Sequence, residues 1–298
     1  MLSLLRLVRV SLAPSLLADV AAGAALAGGT TAATLSAAFL CSLLLFVGGM
    51  ALNARVDVEE DARTRPDRPL PSGALSRGTA TALAIGGLLG APLLGALCFE
   101  HRIAAGLWLG GMAIAIAAYH TPLRRLAIVG PALLGTIRGA DLAWGAVAVA
   151  GASVPLGAVL GPALLYALYV FGASLVAHQE DREASDSHVR GGLCLCVLTV
   201  LALLVERLAQ AGAEEFRPYG VGCLVGLLLL RPLLSRFRDP EPFAHRPGGI
   251  GALAGLLLGR MAWFTTMVAF AAASWPLGLT ALGGLVAVRL LVRWIPPT

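Results

Sequence analysis

Long apolar runs alternate with short polar segments along nearly the whole chain. Several of these runs reach or pass the ~18 residues that a helix needs to cross a bilayer. Charged residues, prolines and glycines mark the ends of each run. These ends predict spans at residues 12–31, 34–52, 77–98, 102–119, 130–151, 157–178, 191–209, 218–235, 249–273 and 277–293. Only Ser274-Trp275-Pro276 separates the last two. The pattern predicts an all-α, polytopic membrane bundle of nine or ten transmembrane helices around a central cavity, forming one domain over residues 1–298.

Composition agrees with this class of protein. Hydrophobic residues make up 58% of the chain and charged residues 13%, against roughly a quarter charged in soluble domains. No convincing cleavage site follows Arg6 and Arg9, so we expect no cleavable signal peptide. The five cysteines all fall inside apolar runs, which predicts neither disulfides nor a cysteine metal site. All 22 basic residues are arginine, which excludes lysine-dependent chemistry such as Schiff bases.

The arginines also predict an orientation. With a cytoplasmic N-terminus and alternating ends, 17 arginines lie on the cytoplasmic side, whereas Arg102, Arg207 and Arg217 lie outside. Cytoplasmic loops of membrane proteins carry such an excess, so the basic pI reflects topology and we expect no nucleic acid partner. The same alternation brings the polar segments 53–77, 119–129 and 177–190 to one face. We therefore expect an integral cell-membrane protein whose chemistry lies on its cytoplasmic face.

Residues 53–73 form the most charged stretch of the chain. Asn53, Asp57 and Asp61 recur every four residues, which stacks three oxygen-bearing side chains on one face of a helix. Such oxygens suit Mg²⁺, which keeps waters and phosphate oxygens as its other ligands. Three arginines follow within seven residues of Asp61, at Arg63, Arg65 and Arg68. Because guanidinium groups match phosphate oxygens, this order predicts a metal–diphosphate site. The alternative is a solvated, charged loop.

A second acidic stretch covers residues 177–186. Glu180, Glu183 and Asp186 run every three residues and can offer a second set of metal oxygens, with Asp181 as an alternative to Glu180. A solvated helix end is the competing interpretation. His178 adjoins this stretch, and a general-base role for it is the less favoured interpretation.

The polar segment between these two motifs begins at Tyr119. Here Arg124 or Arg125 either contacts a diphosphate or anchors a helix at the lipid headgroups. For His120, a position among the headgroups is favoured over catalysis.

Charged residues also occur inside the spans. Arg138 and Asp141 lie three apart, and such charges usually face a bundle interior or a water-filled cavity. They form either a structural ion pair that joins helices or a site where Arg138 reaches the diphosphate or a polar acceptor. Asp19 and Arg260 have no obvious partner in the sequence.

These motifs, in this order, resemble the UbiA superfamily of intramembrane prenyltransferases. Asn53, Asp57 and Asp61 match the family signature N-D-x-x-D-x-x-x-D, although Ala54 replaces its first Asp, and residues 65–73 (RPDRPLPSG) match closely. The family's Y-x-x-x-K loop is similar to Tyr119 with Arg124 or Arg125. Its second signature, K-D-x-x-D-x-x-G-D, is only approximated by Glu180, Glu183 and Asp186. Residues 18–23 (ADVAAG) and 135–141 (GTIRGAD) resemble the EboC-like branch.

The resemblance implies a Mg²⁺-dependent enzyme that ionises an isoprenyl diphosphate and transfers the prenyl group to an acceptor. The residues expected to hold metal are Asn53, Asp57, Asp61, Glu180 and Glu183. Those expected to act in catalysis are Asp57, Asp61, Glu180 and Asp181, and those expected to bind substrate are Arg65, Arg68, Arg124, Tyr119 and Arg138. The alternatives are a UbiA-type terpene cyclase and a non-catalytic lipid-binding or export-accessory protein. The implied partners are an isoprenyl diphosphate and membrane lipid. Prenyl length, acceptor and oligomeric state are not determined by the sequence.

Overall fold

The computed structural model describes residues 2–180, 186–210, 216–236, 249–272 and 274–295. These residues form thirteen α-helices, joined by turns and three short 3-10 helices, and contain no strand. The helices are α1 (Leu2–Leu7), α2 (Pro14–Leu26), α3 (Ala32–Val56), α4 (Val58–Thr64), α5 (Arg77–Cys98), α6 (Arg102–Tyr119), α7 (Val129–Ala150), α8 (Leu156–Ala177), α9 (Asp186–Gln210), α10 (Phe216–Ser235), α11 (Gly249–Leu258), α12 (Met261–Ala271) and α13 (Trp275–Trp294).

The prediction of an all-α membrane bundle is confirmed. Within the described ranges, nine stretches are long and apolar enough to cross a membrane. The first predicted span, 12–31, is a shorter apolar segment, Val10–Leu26, so it is not among the nine. The predicted span 249–273 consists of two helices, because the chain breaks at Gly259 and Arg260 between α11 and α12.

Hydroxyl side chains define where two of the long helices begin. The Thr31 hydroxyl accepts a hydrogen bond from the amide of Thr34 at 3.2 Å at the start of α3. The Ser76 hydroxyl accepts one from the amide of Thr79 at 3.0 Å at the start of α5. Each satisfies an amide that has no partner within its helix. The polar segment before α5 therefore ends at a defined residue, which fixes where the charged loop stops.

Small residues let α2 and α7 pack against each other at the centre of the bundle. A Cβ added at Gly23 would lie 1.8 Å from the Leu142 carbonyl oxygen, and one at Gly145 would lie 2.1 Å from that of Val20. Membrane helices associate through such close backbone approach because lipid provides little hydrophobic drive between them. The short α2 is buried along most of its length and contributes to both of the large apolar cores, as does α7.

The outer and inner surfaces differ in the manner expected for a protein in lipid. Large apolar side chains face outward, with Ile103 79% exposed and Leu89 65% exposed. Large aromatic residues fill the interior instead, and the side chains of Trp144, Tyr166, Tyr169 and Phe264 are fully buried. The interior is thus packed by side chains, whereas the apolar exterior is available to acyl chains.

Candidate functional site

Polar side chains from five segments meet at one end of the bundle. The segments are the residues before α2, the end of α3, α4, the loop that follows α4, and the short 3-10 helix Pro122–Arg125 after α6. We call the group of side chains that meet here the helix-end site. Its members are Arg9, Asn53, Asp57, Asp61, Arg68 and Arg124.

The backbone keeps the first motif helical beyond the predicted boundary at residue 52. α3 continues to Val56, and Asp57 joins it to α4 with φ −87° and ψ 1°. The amide of Asp57 donates to the Asn53 carbonyl at 2.9 Å, and the amide of Asp61 donates to the Asp57 carbonyl at 2.8 Å. The four-residue hydrogen-bonding pattern therefore persists through the junction.

Arg124 joins the first two residues of the motif. Its Nη1 donates to the Asn53 amide oxygen at 3.1 Å and to Asp57 Oδ2 at 2.9 Å. Its Nη2 donates to the other oxygen of Asp57. The hydrogen bond with Asp57 is the main reason that the pKa of Arg124 is raised above its usual value. Two oxygens from neighbouring helical turns thus converge on one cationic nitrogen.

Arg68 makes the corresponding contact with Asp61. Its Nη1 lies 2.7 and 2.9 Å from the two oxygens of Asp61, whose side chain is 7% exposed. Arg9 lies beside them in a left-handed conformation, with φ 46°. Burial lowers the pKa of Arg9, and the neighbouring charges of Arg68 and Arg65 lower it further. Positive charge therefore exceeds negative charge around Asp61, which favours an anionic ligand.

A small pocket opens between these side chains. Arg9, Asn53, Asp61 and Arg68 line it together with apolar residues that include Met50. Arg65 lies in the loop above and is exposed. The arrangement combines carboxylate and amide oxygens with guanidinium donors, which are the groups that a metal-bound phosphate requires.

The first motif meets the chemical demands of a hard divalent cation. The oxygens of Asn53 and Asp57 already converge on a single cationic nitrogen, that of Arg124. Oxygen atoms so placed are the ligands that Mg²⁺ prefers. The described ranges contain no group of three or more His, Cys, Asp or Glu side chains that would hold a metal alone. A metal here would therefore depend on the amide oxygen and on phosphate or water oxygens.

The second acidic motif is only partly described. Glu180 is exposed in the turn that follows α8, and a Cβ at Gly251 in α11 would lie 2.7 Å from its carboxylate. Asp186 forms an exposed ion pair at 3.2 Å with Arg190, one turn later in α9. Asp181 and Glu183 lie outside the described residues. The placement of this motif relative to the helix-end site thus remains a prediction.

The residues around Arg124 occupy contrasting environments. The ring of Tyr119 lies edge-on to that of His120, with centroids 5.1 Å apart. His120 is buried, and its Nδ1 has no hydrogen-bond partner in the described part of the chain. Burial lowers the pKa of His120 to about 4, and the charge of Arg124 contributes. Arg125 contacts Glu60 at 3.2 Å, with both side chains largely exposed.

A second charged group, the interior cluster, lies inside the bundle and comprises Asp19, Ser42, Arg138, Asp141 and Tyr166. Arg138 pairs with Asp19 of α2 and donates to the Tyr166 hydroxyl at 3.1 Å, and this hydroxyl donates to Asp19 at 3.1 Å. Ser42 donates to Asp141 at 2.6 Å. Of the two interpretations of Arg138 and Asp141, the structure favours an ion pair that joins helices, but the partner of Arg138 is Asp19.

Three members of these groups were missed by sequence reasoning as candidates. They are Arg9, Tyr166 and Ser42. The sequence contains no local signal for them, because their partners lie between 28 and 147 residues away or are identified only by burial. The unpaired Asp19 within an apolar run was the one usable hint.

The fold and the helix-end site define a class of protein: an all-α integral membrane bundle with an oxygen- and guanidinium-lined site where its helices end. The chain belongs to the UbiA prenyltransferase family, whose family model matches residues 12–242. This confirms the resemblance found in the sequence.

Curated relatives include three digeranylgeranylglyceryl phosphate synthases. That of Methanopyrus kandleri is 34% identical over 161 residues, covering 53% of this chain and 52% of the relative. That of Metallosphaera sedula is 35% identical over 112 residues, covering 36% of this chain and 37% of the relative. That of Methanothrix thermoacetophila is 29% identical over 150 residues, covering 50% of this chain and 54% of the relative. The chain thus matches about half or less of each of these relatives.

Two solved structures share the fold. The apo structure of a UbiA homolog from Aeropyrum pernix K1 superposes with a TM-score of 0.64 at 19% identity, covering 86% of this chain and 96% of that one. A structure described as that of a digeranylgeranylglyceryl phosphate synthase in membranes gives a TM-score of 0.61 at 16% identity, covering 94% of this chain and 98% of that one. At these identities the likeness establishes the architecture alone.

Proposed function

We propose that the protein is an intramembrane prenyltransferase that moves the prenyl group of an isoprenyl diphosphate to a hydroxyl acceptor. The observation that carries this proposal is the helix-end site, where the oxygens of Asn53, Asp57 and Asp61 meet the guanidinium groups of Arg68 and Arg124. Family membership and the names of the curated relatives support it.

Mg²⁺ is the proposed cofactor. Asn53, Asp57 and Asp61 would hold one ion, and Glu180 and Glu183 are proposed to hold a second. When bound, Mg²⁺ neutralises the charge that develops on diphosphate oxygens.

The arginines of the site are proposed to bind the diphosphate. Arg68 and Arg124 are already paired with carboxylates, so a metal and a diphosphate can enter together while every charge keeps a partner. Arg65, exposed in the loop above, and Tyr119 are proposed as further substrate contacts. Arg138 as a substrate ligand stays a prediction, since its guanidinium contacts Asp19 and Tyr166 instead.

In the proposed reaction the bond between the allylic carbon and the diphosphate oxygen breaks, and the electron pair leaves with the diphosphate. Guanidinium groups placed where this charge develops stabilise the transition state more than the ground state. The acceptor oxygen then bonds to the allylic carbon, and its proton passes to a carboxylate. Glu180 or Asp181 is proposed for that role.

The relatives suggest the substrates to test first. Their name describes a product with two geranylgeranyl groups on a glyceryl phosphate. We therefore propose geranylgeranyl diphosphate as donor and a geranylgeranyl ether of glyceryl phosphate as acceptor. We propose that the prenyl chains lie among apolar helices and, from the distribution of arginines, that the helix-end site lies on the cytoplasmic side.

The test measures diphosphate release by the full chain in lipid nanodiscs with Mg²⁺, the donor, and either acceptor or none. We expect release that requires acceptor. Asp57→Asn should reduce it by at least about a hundredfold, because the site loses a charged oxygen ligand. Glu59→Gln is the matched control, since Glu59 is an exposed acid on the same short helix, and it should leave the rate unchanged.

Two outcomes would overturn the proposal. Cyclic hydrocarbon formed without acceptor would make the protein a terpene cyclase. Bound donor with no diphosphate release under any condition would make it a lipid-binding protein without turnover.

A further inference from the structure

Two arginines share one tryptophan between α12 and α13. The Cζ atom of Arg289 lies 4.9 Å from the centroid of the Trp263 ring, and that of Arg260 lies 5.5 Å from it. Each cation gains from the face of the ring. Two guanidinium groups gathered on one indole nevertheless repel each other, and this repulsion calls for a nearby negative charge.

The described part of the chain supplies no such charge. Neither Arg260 nor Arg289 forms an ion pair with a described residue. The described residues from 216 to 295 include several arginines but neither Asp nor Glu. Because charges at membrane depth are costly unless they are paired, an arginine pair of this kind indicates a ligand that supplies the anion.

Hydrogen-bond donors around the pair also lack acceptors. Arg260 Nη1 donates to the Leu228 carbonyl at 3.2 Å. Arg260 Nε and Trp263 Nε1 are buried and have no acceptor among the described residues. α12 begins directly after Arg260, so its first amides add partial positive charge at the same place. A group with several acceptor oxygens would satisfy these donors together.

The surface beside the pair is apolar and exposed. Along α13, Leu279, Val286 and Leu290 are 56%, 47% and 50% exposed. Arg289 lies five residues before the end of α13 at Trp294, or about 8 Å along a helix. A side chain as long as arginine extends from this depth toward the headgroup region.

We infer that Arg260, Arg289 and Trp263 form a binding site for the phosphate headgroup of an anionic membrane phospholipid. The phosphate oxygens would accept from both guanidinium groups and from the indole N–H, and an acyl chain would lie along the exposed face of α13. This site shares no residue with the helix-end site and requires no prenyltransferase activity.

Native mass spectrometry of the full chain, purified in detergent and incubated with phosphatidylglycerol, tests this inference. We expect Arg289→Gln to weaken lipid binding about fivefold, since one arginine near a membrane surface contributes ~1 kcal/mol toward an anionic lipid. Arg260→Gln combined with Arg289→Gln should weaken it about twenty-five-fold. Arg289→Lys, which keeps the charge, should retain most of the binding.

The matched control is Arg102→Gln, because Arg102 is an exposed arginine at the start of a different span. It should bind phosphatidylglycerol as the unaltered protein does. Equal binding by Arg289→Gln and the unaltered protein would overturn the inference, as would equal retention of phosphatidylcholine. Displacement of the lipid by an equal concentration of inorganic phosphate would mean that the site takes free phosphate, which also overturns it. Arg289 is exposed, so its variants are expected to fold.

Discussion

The helix-end site and the interior cluster use the same chemistry at different depths. In both, an arginine pairs with an aspartate and a hydroxyl or amide group completes the contact. At the helix ends, the side chains of Arg124 and Asp57 are 17% and 14% exposed, and those of Arg68 and Asp61 are 12% and 7% exposed. Asp19 in the interior cluster is 0% exposed, and its partners come from α7 and α8.

We propose that the burial of the carboxylates separates the roles of the two groups of charges. A partly exposed pair loses little when it exchanges partners, so it suits the binding of an incoming metal and phosphate. A pair whose carboxylate is fully buried has given up most of its hydration, and removal of that carboxylate leaves an uncompensated charge. We therefore interpret the helix-end site as functional and the interior cluster as a structural link between α2, α7 and α8.

The largest effect on stability is expected from Asp19→Asn. It leaves the Arg138 guanidinium buried without its carboxylate, which should lower the free energy of unfolding by about 3–5 kcal/mol. Denaturant unfolding in detergent micelles measures this. Arg138→Gln added to Asp19→Asn should recover part of the loss, because no unpaired charge then remains. Unchanged stability in the single variant would show that the ion pair does not hold the bundle together.

The next effect concerns pH and His120. The pKa of His120 in the folded protein, about 4, lies below the usual histidine value of about 6.5, so the unfolded chain binds the proton first. Stability from the buried neutral ring is fully present above pH 6.5 and is lost as pH falls toward 4, by roughly 3 kcal/mol. His120→Gln should remove this dependence in thermal unfolding across that range. His188→Gln, at an exposed position on α9, should retain it; identical curves for both variants would contradict the burial argument.

Arg68→Gln should have a smaller effect, this time on substrate binding. We expect KM for the prenyl diphosphate to rise about tenfold with less change in kcat, because one charge-assisted contact to phosphate is lost. Steady-state diphosphate release measures both constants, and Arg77→Gln, an exposed arginine at the start of α5, is the control. A KM equal to that of the unaltered protein would remove Arg68 from the proposed site.

The smallest effect is expected for the exposed pair of Arg125 and Glu60. Their side chains are 69% and 64% exposed, so Glu60→Gln should change stability by less than about 1 kcal/mol. Thermal unfolding at low and high salt checks this. A larger loss would mean that depth does not separate strong from weak pairs in this protein.

Most spans were predictable from the sequence, because a long apolar run has one low-energy structure in a bilayer, which is a helix. Sequence reasoning did not predict two features that tertiary packing sets: the short length of α2, and a break within the span 249–273, which is itself one of the nine candidate membrane spans of the described residues. The segment 12–31 forms a short helix because it is enclosed by other helices and need not cross lipid alone. The span 249–273 breaks at Arg260, where the local sequence lacks proline.

The candidate site was likewise only partly predictable from the sequence. The spacing of Asn53, Asp57 and Asp61 follows from helix geometry and was readable in the sequence. The partner of Asp57 was not readable in the sequence, because Arg124 lies 67 residues away and Arg125 was an equal candidate. Only the fold distinguishes the two: Arg124 turns inward to Asp57, whereas Arg125 contacts the exposed Glu60.

The sequence by itself thus determined the membrane class, the family and the composition of the first motif, because hydropathy and helical spacing are local properties of the chain. The tertiary structure alone decided which charges are paired. It joined Arg138 to Asp19 across 119 positions, brought Arg9 to Asp61, and left Arg260 and Arg289 together without a described carboxylate. Pairing depends on which helices are neighbours, and helix packing in a membrane is set by small-residue contacts such as those of Gly23 and Gly145 rather than by the charges themselves.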